Sequence, residues 1–453
     1  MKIIIAGAGK VGSHLAKMLS RERNELTVID NNSERIAALS ASVDVDIIEG
    51  KPSSISTLRE AQIDKADLFI AVYPADTQEV NITSALVAKK LGAAKVIARV
   101  NDEEYLNAEN KLMFKEMGIE LMFYPEKIAA DEIADQLRHS ATSETMDFVH
   151  GKLQISVFKL GEDSPILEKK IAEFMQGIPA EEARSFRVIA ISRNDHTLIP
   201  RFDTRFQYDD MIFTIATREG AGAIVKYFGR STVDIAKTMI LGGDEIGAIL
   251  AGQLSRRMSS VKLIEKDRAK CVALSEKLPS EVQIVCADAR NSDLLFEEGI
   301  RDYDAFVAVT DNDEENILSC VIARKYGVPR TVAEVENVEY VRLAEDMGVD
   351  TVINKKLITA GRIFKFILSG KARFVHYMSG TSAQVMEYTV APDSAITKGA
   401  LKDIPFPSGA IIGGVVRGSE AFIAVGDTRI EAYDRVAVFA MPETIKEIDR
   451  FFK

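Results

Sequence analysis

The sequence predicts an α/β protein made of two doubly wound parallel-sheet lobes, each followed by a small α+β module. Three observations carry that expectation. Residues 2–6 form a short β-branched run, Gly7-Ala-Gly-Lys-Val-Gly12 follows, and Val11, Leu15, Met18 and Leu19 then fall on one face of a helix over 12–21. Strand, glycine turn, helix and a second strand at 26–29 open a Rossmann-like sheet. The pattern returns 235 positions later in Thr238-Met-Ile-Leu-Gly-Gly-Asp-Glu-Ile-Gly247, where Gly247 stands for Gly12. Two further segments also resemble each other: Asp203-Thr-Arg205 and Asp210 match Asp427-Thr-Arg429 and Asp434, each 224 positions apart.

In the first lobe, 1–140, apolar strands are predicted at 45–48, 68–72 and 96–100, alternating with helical stretches such as 80–91. Continuous apolar strands separated by amphipathic helices indicate a parallel sheet covered on both faces. Residues 121–123 add a sixth strand, and a helix over 127–139 leaves the lobe. In the second lobe, 235–370, strands fall at 239–241, 261–264, 282–285, 305–309 and 331–335, followed by a helix over 356–368. Asp30 aligns with Glu265, Asn81 with Asn316 and Arg99 with Glu334. The small modules, 146–228 and 375–453, each run through an apolar strand, 211–216 or 436–440, into a terminal helix ending in Tyr227-Phe228 or Phe451-Phe452. Their strand edges are expected to be exposed, a geometry that pairs with a copy of itself.

With 453 residues, 47% hydrophobic and 28% charged, the chain has ordinary globular composition. A net charge of −11 disfavours nucleic acid and anionic lipid as partners, because both need Lys and Arg to meet phosphate. Cys271, Cys286 and Cys320 lack metal-type spacing and are expected to be buried, inert thiols in a reducing cytoplasm. No charged leader precedes an apolar stretch, and no run approaches the roughly 18 apolar residues that cross a bilayer. Any membrane role is expected to come through a partner.

The chemistry concentrates at the first glycine turn. Gly7 permits the tight turn, Gly9 lets the amides around Ala8, Lys10 and Val11 approach a pyrophosphate, and Gly12 lets helix pack on strand. Phosphate then sits on the helix's positive end. Asp30, closing the second strand, accepts from ribose hydroxyls and repels a 2′-phosphate, which favours NAD(H) or an adenosine nucleotide over NADP(H) without separating the two. Further candidate contacts lie at strand ends: Gly50 and Lys51 after the third, Tyr73 and Asp76 after the fourth, Arg99 within the fifth. An arginine in an apolar strand needs a carboxylate or a phosphate, and the sequence leaves both open.

The second copy carries Asp244 for Gly9, Glu245 for Lys10 and Glu334 for Arg99. Each change adds negative charge where phosphate would sit, so this lobe is expected to be structural or to take a different ligand. Asp244, Glu245, Glu265, Asp288, Asp313 and Glu334 offer hard oxygens, but separate solvated acids are commoner than a cation site, and no metal is assigned. His14, His139, His150, His196 and His376 have no paired acid at motif spacing, so no catalytic residue is assigned and an enzyme is not expected.

Taken with Val28-Ile-Asp30, Ala71-Val-Tyr-Pro-Ala-Asp76, Val96-Ile-Ala-Arg-Val-Asn101 and Thr310-Asp-Asn-Asp-Glu-Glu-Asn316, the four-module order resembles the TrkA family of peripheral Trk potassium-uptake regulators, built of tandem RCK (also called KTN) domains. The resemblance covers nearly the whole chain. It implies a cytoplasmic homo-oligomeric ring, a tetramer, on the inner face of the plasma membrane, docked on a TrkH-like potassium-translocating membrane subunit. It also implies that NAD(H) or ATP/ADP changes the ring's shape and gates ion flow, with no nucleic acid and no direct membrane insertion. Two positions depart from the family pattern: Gly50-Lys51 stands where Gly-Asp is usual, and Asp244 where glycine is common. The alternatives are an NAD-dependent dehydrogenase and a nucleotide-sensing regulator of another ion transporter.

Overall fold

The computed structural model describes residues 1–452 apart from 21–23, 74–76, 139–143, 150, 162–163, 195, 229–234, 289–291, 369–372, 378–380 and 382. The chain divides into two compact units, one of Met1–Ala134 with Lys237–Ile363 and one of Asp135–Ala236 with Phe364–Lys453. Among the described residues, no helix is long and apolar enough to cross a membrane.

The first unit holds both lobes. Strands β1 (Lys2–Ala6), β2 (Glu25–Asp30), β3 (Asp46–Glu49), β4 (Leu68–Ala71), β5 (Lys95–Arg99) and β6 (Leu121–Phe123) form one sheet in the order β3-β2-β1-β4-β5-β6. Every pairing is parallel. Ile4, Phe69, Val96 and Leu58 are buried in its core, as a sheet covered on both faces requires. The strand order reverses between β1 and β4, and the glycine turn leaves β1 at that crevice, where open α/β sheets take ligands.

In the second unit lies the first small module, with strands β7 (Glu144–Phe148), β8 (Leu153–Lys159), β9 (Phe186–Arg193), β10 (His196–Leu198) and β11 (Met211–Thr217) in the antiparallel order β10-β9-β11-β8-β7. The first unit then resumes with β12 (Lys237–Leu241), β13 (Ser260–Glu265), β14 (Val282–Cys286), β15 (Ala305–Ala308), β16 (Arg330–Glu334) and β17 (Thr351–Ile353), ordered β14-β13-β12-β15-β16-β17. The second lobe thus repeats the first strand for strand. Its sixth strand, β17, is not among those expected from the sequence: Thr351-Val-Ile353 carries a polar residue where β6 reads Leu121-Met-Phe123.

The second small module comprises β18 (Arg373–Tyr377), β19 (Gln384–Thr389), β20 (Ala410–Arg417), β21 (Glu420–Ile423) and β22 (Arg435–Ala440), with the same topology as the first. Within the chain the two modules meet face to face. Leu153, Ile155, Phe213 and Ile215 share one core with Val385, Val416 and Phe439. The Phe213 and Phe439 rings lie 5.9 Å apart, and a Cβ at Gly414 would meet Leu153 Cδ1 at 2.8 Å. The repeated aspartates hold each module together: Arg193 donates to Asp210 at 2.7 Å through both Nε and Nη2, and Arg417 to Asp434 at 2.9 and 2.8 Å. Both aspartates are buried, and bidentate pairing is what lets a charge be buried.

Candidate functional site

Gly7 takes φ +116°, and its amide donates to Ile29 O at 2.8 Å. A Cβ there would also strike the Val72 carbonyl at 2.9 Å, so only glycine fits this turn. The Ala8 amide donates to Asp30 Oδ2 at 2.6 Å and the Asn32 amide to Asp30 Oδ1 at 2.9 Å, leaving Asp30 fully buried. A carboxylate has about four acceptor positions, so two remain for a ribose. The helix Lys10–Ser20 starts at the turn, with Val11 and Gly12 buried in it. A Cβ on Gly12 would collide with the Gly7 carbonyl, whereas one on Gly9 meets nothing within 4 Å. Gly9 therefore leaves room in front of the first-turn amides, which have no intrahelical partner.

Of the other candidates, Gly50 lies close, its amide donating to Asp30 O at 2.9 Å. Lys51 is exposed on the turn after β3. Tyr73 is buried over Asp30, its hydroxyl accepting from the Asn31 amide at 3.0 Å, and burial together with the Asp30 carboxylate pushes the phenol up to about 12. The turn behind Tyr73 is fixed by Asn81, which accepts from the Tyr73 amide at 2.8 Å and donates to its carbonyl at 3.2 Å. Asp76 lies outside the described residues, as do His139 and His150. Lys10 reaches into the second lobe, 2.6 Å from Glu336 Oε2.

Arg99 meets a carboxylate: Nη2 lies 2.9 Å from Glu126 Oε1. Lys355 Nζ is 3.4 Å from the same Glu126 oxygen and 3.7 Å from Glu334 Oε1. Positive and negative groups thus alternate across the contact between lobes as Arg99, Glu126, Lys355, Glu334. Burial pushes the Glu334 carboxyl up to about 7. Lys355 is held above its usual range, because Glu334 and Glu126 outweigh the opposing effect of burial. Glu245, the counterpart of Lys10, accepts from Tyr124 of the first lobe at 3.1 Å.

The second glycine turn copies the first in backbone. Gly242 takes φ +105°, and a Cβ on it would meet the Val309 carbonyl at 2.8 Å. The Gly243 and Asp267 amides each donate to Glu265 at 2.8 Å, and Asn316 clamps Thr310 as Asn81 clamps Tyr73. In side chains it differs. Asp244 is ion-paired with Lys270, and Asp313 accepts from the Glu336 and Asn337 amides at 2.8 Å. Of the acids named for a cation, Asp244, Glu245, Glu265, Asp313 and Glu334 therefore serve separate partners. Cys271 and Cys320 are buried as expected, but Cys286 is exposed.

Sequence reasoning missed Arg35, 4.0 Å from Asp30 Oδ2, and with it Glu126 and Lys355. A cation at 35 recurring as Lys270, at the same spacing as the glycines, was the available signal.

The TrkA-N domain model matches residues 3–125 and 238–355, and the TrkA-C domain model residues 155–229 and 385–453. A Trk system potassium uptake protein TrkA homolog from Archaeoglobus fulgidus is 35% identical over the whole of both chains. The chain belongs to the TrkA family. A second relative, the Trk system potassium uptake protein TrkA of Halomonas elongata, is 32% identical over all of this chain and 99% of its own. Among solved structures, a GsuK channel bound to NAD shares the fold at TM-score 0.63 and 18% identity, over 100% of this chain and 78% of its own. A GsuK structure bound to ADP matches at TM-score 0.52 and 14% identity, over 82% and 70%. TrkA membership decides against the dehydrogenase alternative, since the family is one of transport regulators.

Proposed function

We propose that this chain is the gating subunit of a Trk-type potassium uptake system, with an adenine nucleotide, NAD(H) or ATP/ADP, held by the first lobe. The observation that carries the reading is the first glycine turn: it lies at the switch point, opens a helix, leaves space in front of Gly9 and is braced by Asp30. Phosphates would rest on the amides of residues 9–12, ribose would approach Asp30, which the Ala8 amide holds in place, and Gly50 and Tyr73 border the same crevice. The Trk names of full-length relatives and the NAD and ADP of the GsuK structures support the partner and the ligand class.

Gating follows from where the lobes touch. A phosphate on the turn competes with Glu336 for Lys10, and so alters the contact between lobes. Glu126 and Lys355 occupy the first turns of the helices Pro125–Arg138 and Lys355–Leu368, the two helices by which the chain leaves the lobes. Ligand shifts the gate only by its differential affinity for the two lobe arrangements. The ring is read as a tetramer on a TrkH-like membrane subunit at the inner face of the plasma membrane.

Calorimetry with ATP, ADP, NAD and NADH on wild type and Gly9→Asp tests the site. The variant copies position 244 into open space, so it is expected to weaken binding roughly a hundredfold while leaving thermal stability unchanged. Unchanged affinity sinks the assignment. Copurification of a potassium-translocating membrane protein with the tagged chain tests the partner.

A further inference from the structure

In the sheet order β2-β1-β4, Tyr73 follows the carboxyl end of β4, yet its hydroxyl bonds to Asn31, just beyond β2. The hydroxyl accepts from the Asn31 amide at 3.0 Å and donates to Asn31 Oδ1 at 3.2 Å. To reach that far the side chain must cross the end of β1, over the Gly7 turn. Tyr73 as a whole is only 7% exposed and Asp30 is 0% exposed. In the second lobe the same place is held by Thr310, whose hydroxyl turns away to Asn316 Oδ1 at 2.7 Å. There Gly242, Asp244, Glu265, Lys270, Thr310 and Glu315 line a crevice that no aromatic side chain crosses. Glu265 is braced by amides as Asp30 is and is likewise buried, at 5% exposure, so the side chain after the fourth strand is one clear difference between the two crevices.

We infer that Tyr73 is an autoinhibitory bolt that sets the affinity of the first-lobe crevice: a ribose reaches Asp30 only when the hydroxyl releases Asn31 and the ring swings aside. The inference rests on the nucleotide reading of that lobe. A site competent for only a fraction of the time binds with its dissociation constant raised by the inverse of that fraction. Two hydrogen bonds and a buried ring keep the open fraction small.

Calorimetry on the full chain, with NAD, NADH, ATP and ADP as probes, compares wild type, Tyr73→Thr and Tyr73→Phe. Tyr73→Thr, which copies position 310, is expected to tighten binding of the nucleotide that wild type takes by roughly tenfold or more. Tyr73→Phe keeps the ring, loses the hydroxyl, and is expected to gain about threefold. Wild-type binding that both variants leave unchanged or weaken overturns the bolt while leaving the nucleotide site in place. A weakening would mean that the ring packs on the ligand instead. No binding by any of the three proteins overturns bolt and nucleotide reading together.

Discussion

The two lobes share a backbone and oppose each other in charge. Both glycine turns take positive φ against the carbonyl after the fourth strand, both brace a carboxylate on two amides, and both clamp the next turn with an asparagine. Against that sameness, Lys10 answers to Glu245 and Arg99 to Glu334. The sequence alone suggests that these reversals only spoil a phosphate site. The structure adds a second reason. The lobes pack on each other, and the reversed residues lie at or beside that contact. Reversal lets Lys10 meet Glu336, and lets Glu126 and Lys355 join Arg99 to Glu334 in alternating sign. The small modules repeat without such reversal, since their Arg–Asp pairs lie within each module rather than between them.

The sameness is the easiest part to break. Gly12→Ala and Gly247→Ala each drive a Cβ into the carbonyl of the glycine five residues earlier. Each is expected to cost roughly 3 kcal/mol or more, measured by denaturant unfolding. A tolerated Gly247→Ala would mean that the second turn is looser than the first.

The charge alternation comes next. Glu126→Ala strands the buried Arg99 and leaves Lys355 only Glu334, and is expected to cost about 3 kcal/mol, with much of that recovered in Glu126→Leu combined with Arg99→Met. If the single variant is neutral, the network does not hold the lobes.

Strand order and glycine turns were legible because they are written in local periodicity and a fixed spacing. What faces what was not. Arg99 could be assigned a carboxylate or a phosphate, and only the approach of the helix Pro125–Arg138 chooses Glu126. Tyr73 read as a residue bordering the site, because nothing local says that its side chain crosses β1 to Asn31. Lys270 was invisible as the partner of Asp244 because one lies in the helix Arg268–Lys277 and the other in the glycine turn that caps the helix Glu245–Leu254, 26 residues earlier.

Glu334 sharpens the comparison through pH. Its carboxyl, raised to about 7 by burial from an ordinary 4.5, keeps a proton in the folded chain that the unfolded chain releases. Stability from this group is therefore present below pH 4.5 and is lost as pH rises through 7. Glu334→Gln removes the window. The wild-type decline in unfolding free energy between pH 4.5 and 7.5 should exceed that of the variant by on the order of 1–3 kcal/mol.

The smallest structural effect carries the sharpest functional contrast. Asp244 and Lys270 form an exposed pair, each about half accessible, so Asp244→Gly should change stability by less than about 1 kcal/mol. The same substitution restores the full glycine triplet, removes the carboxylate in front of the helix Glu245–Leu254, and frees Lys270 to face the crevice. Thr310 stands there in place of a tyrosine and the backbone repeats the first turn, so the substitution tests charge as the obstacle to a phosphate. Calorimetry with ADP should therefore show a second, weak site in Asp244→Gly beside the one proposed for the first lobe. If the stoichiometry stays at one, the electrostatic account of the asymmetry fails and Glu245, the next acid on the turn, becomes the residue to change.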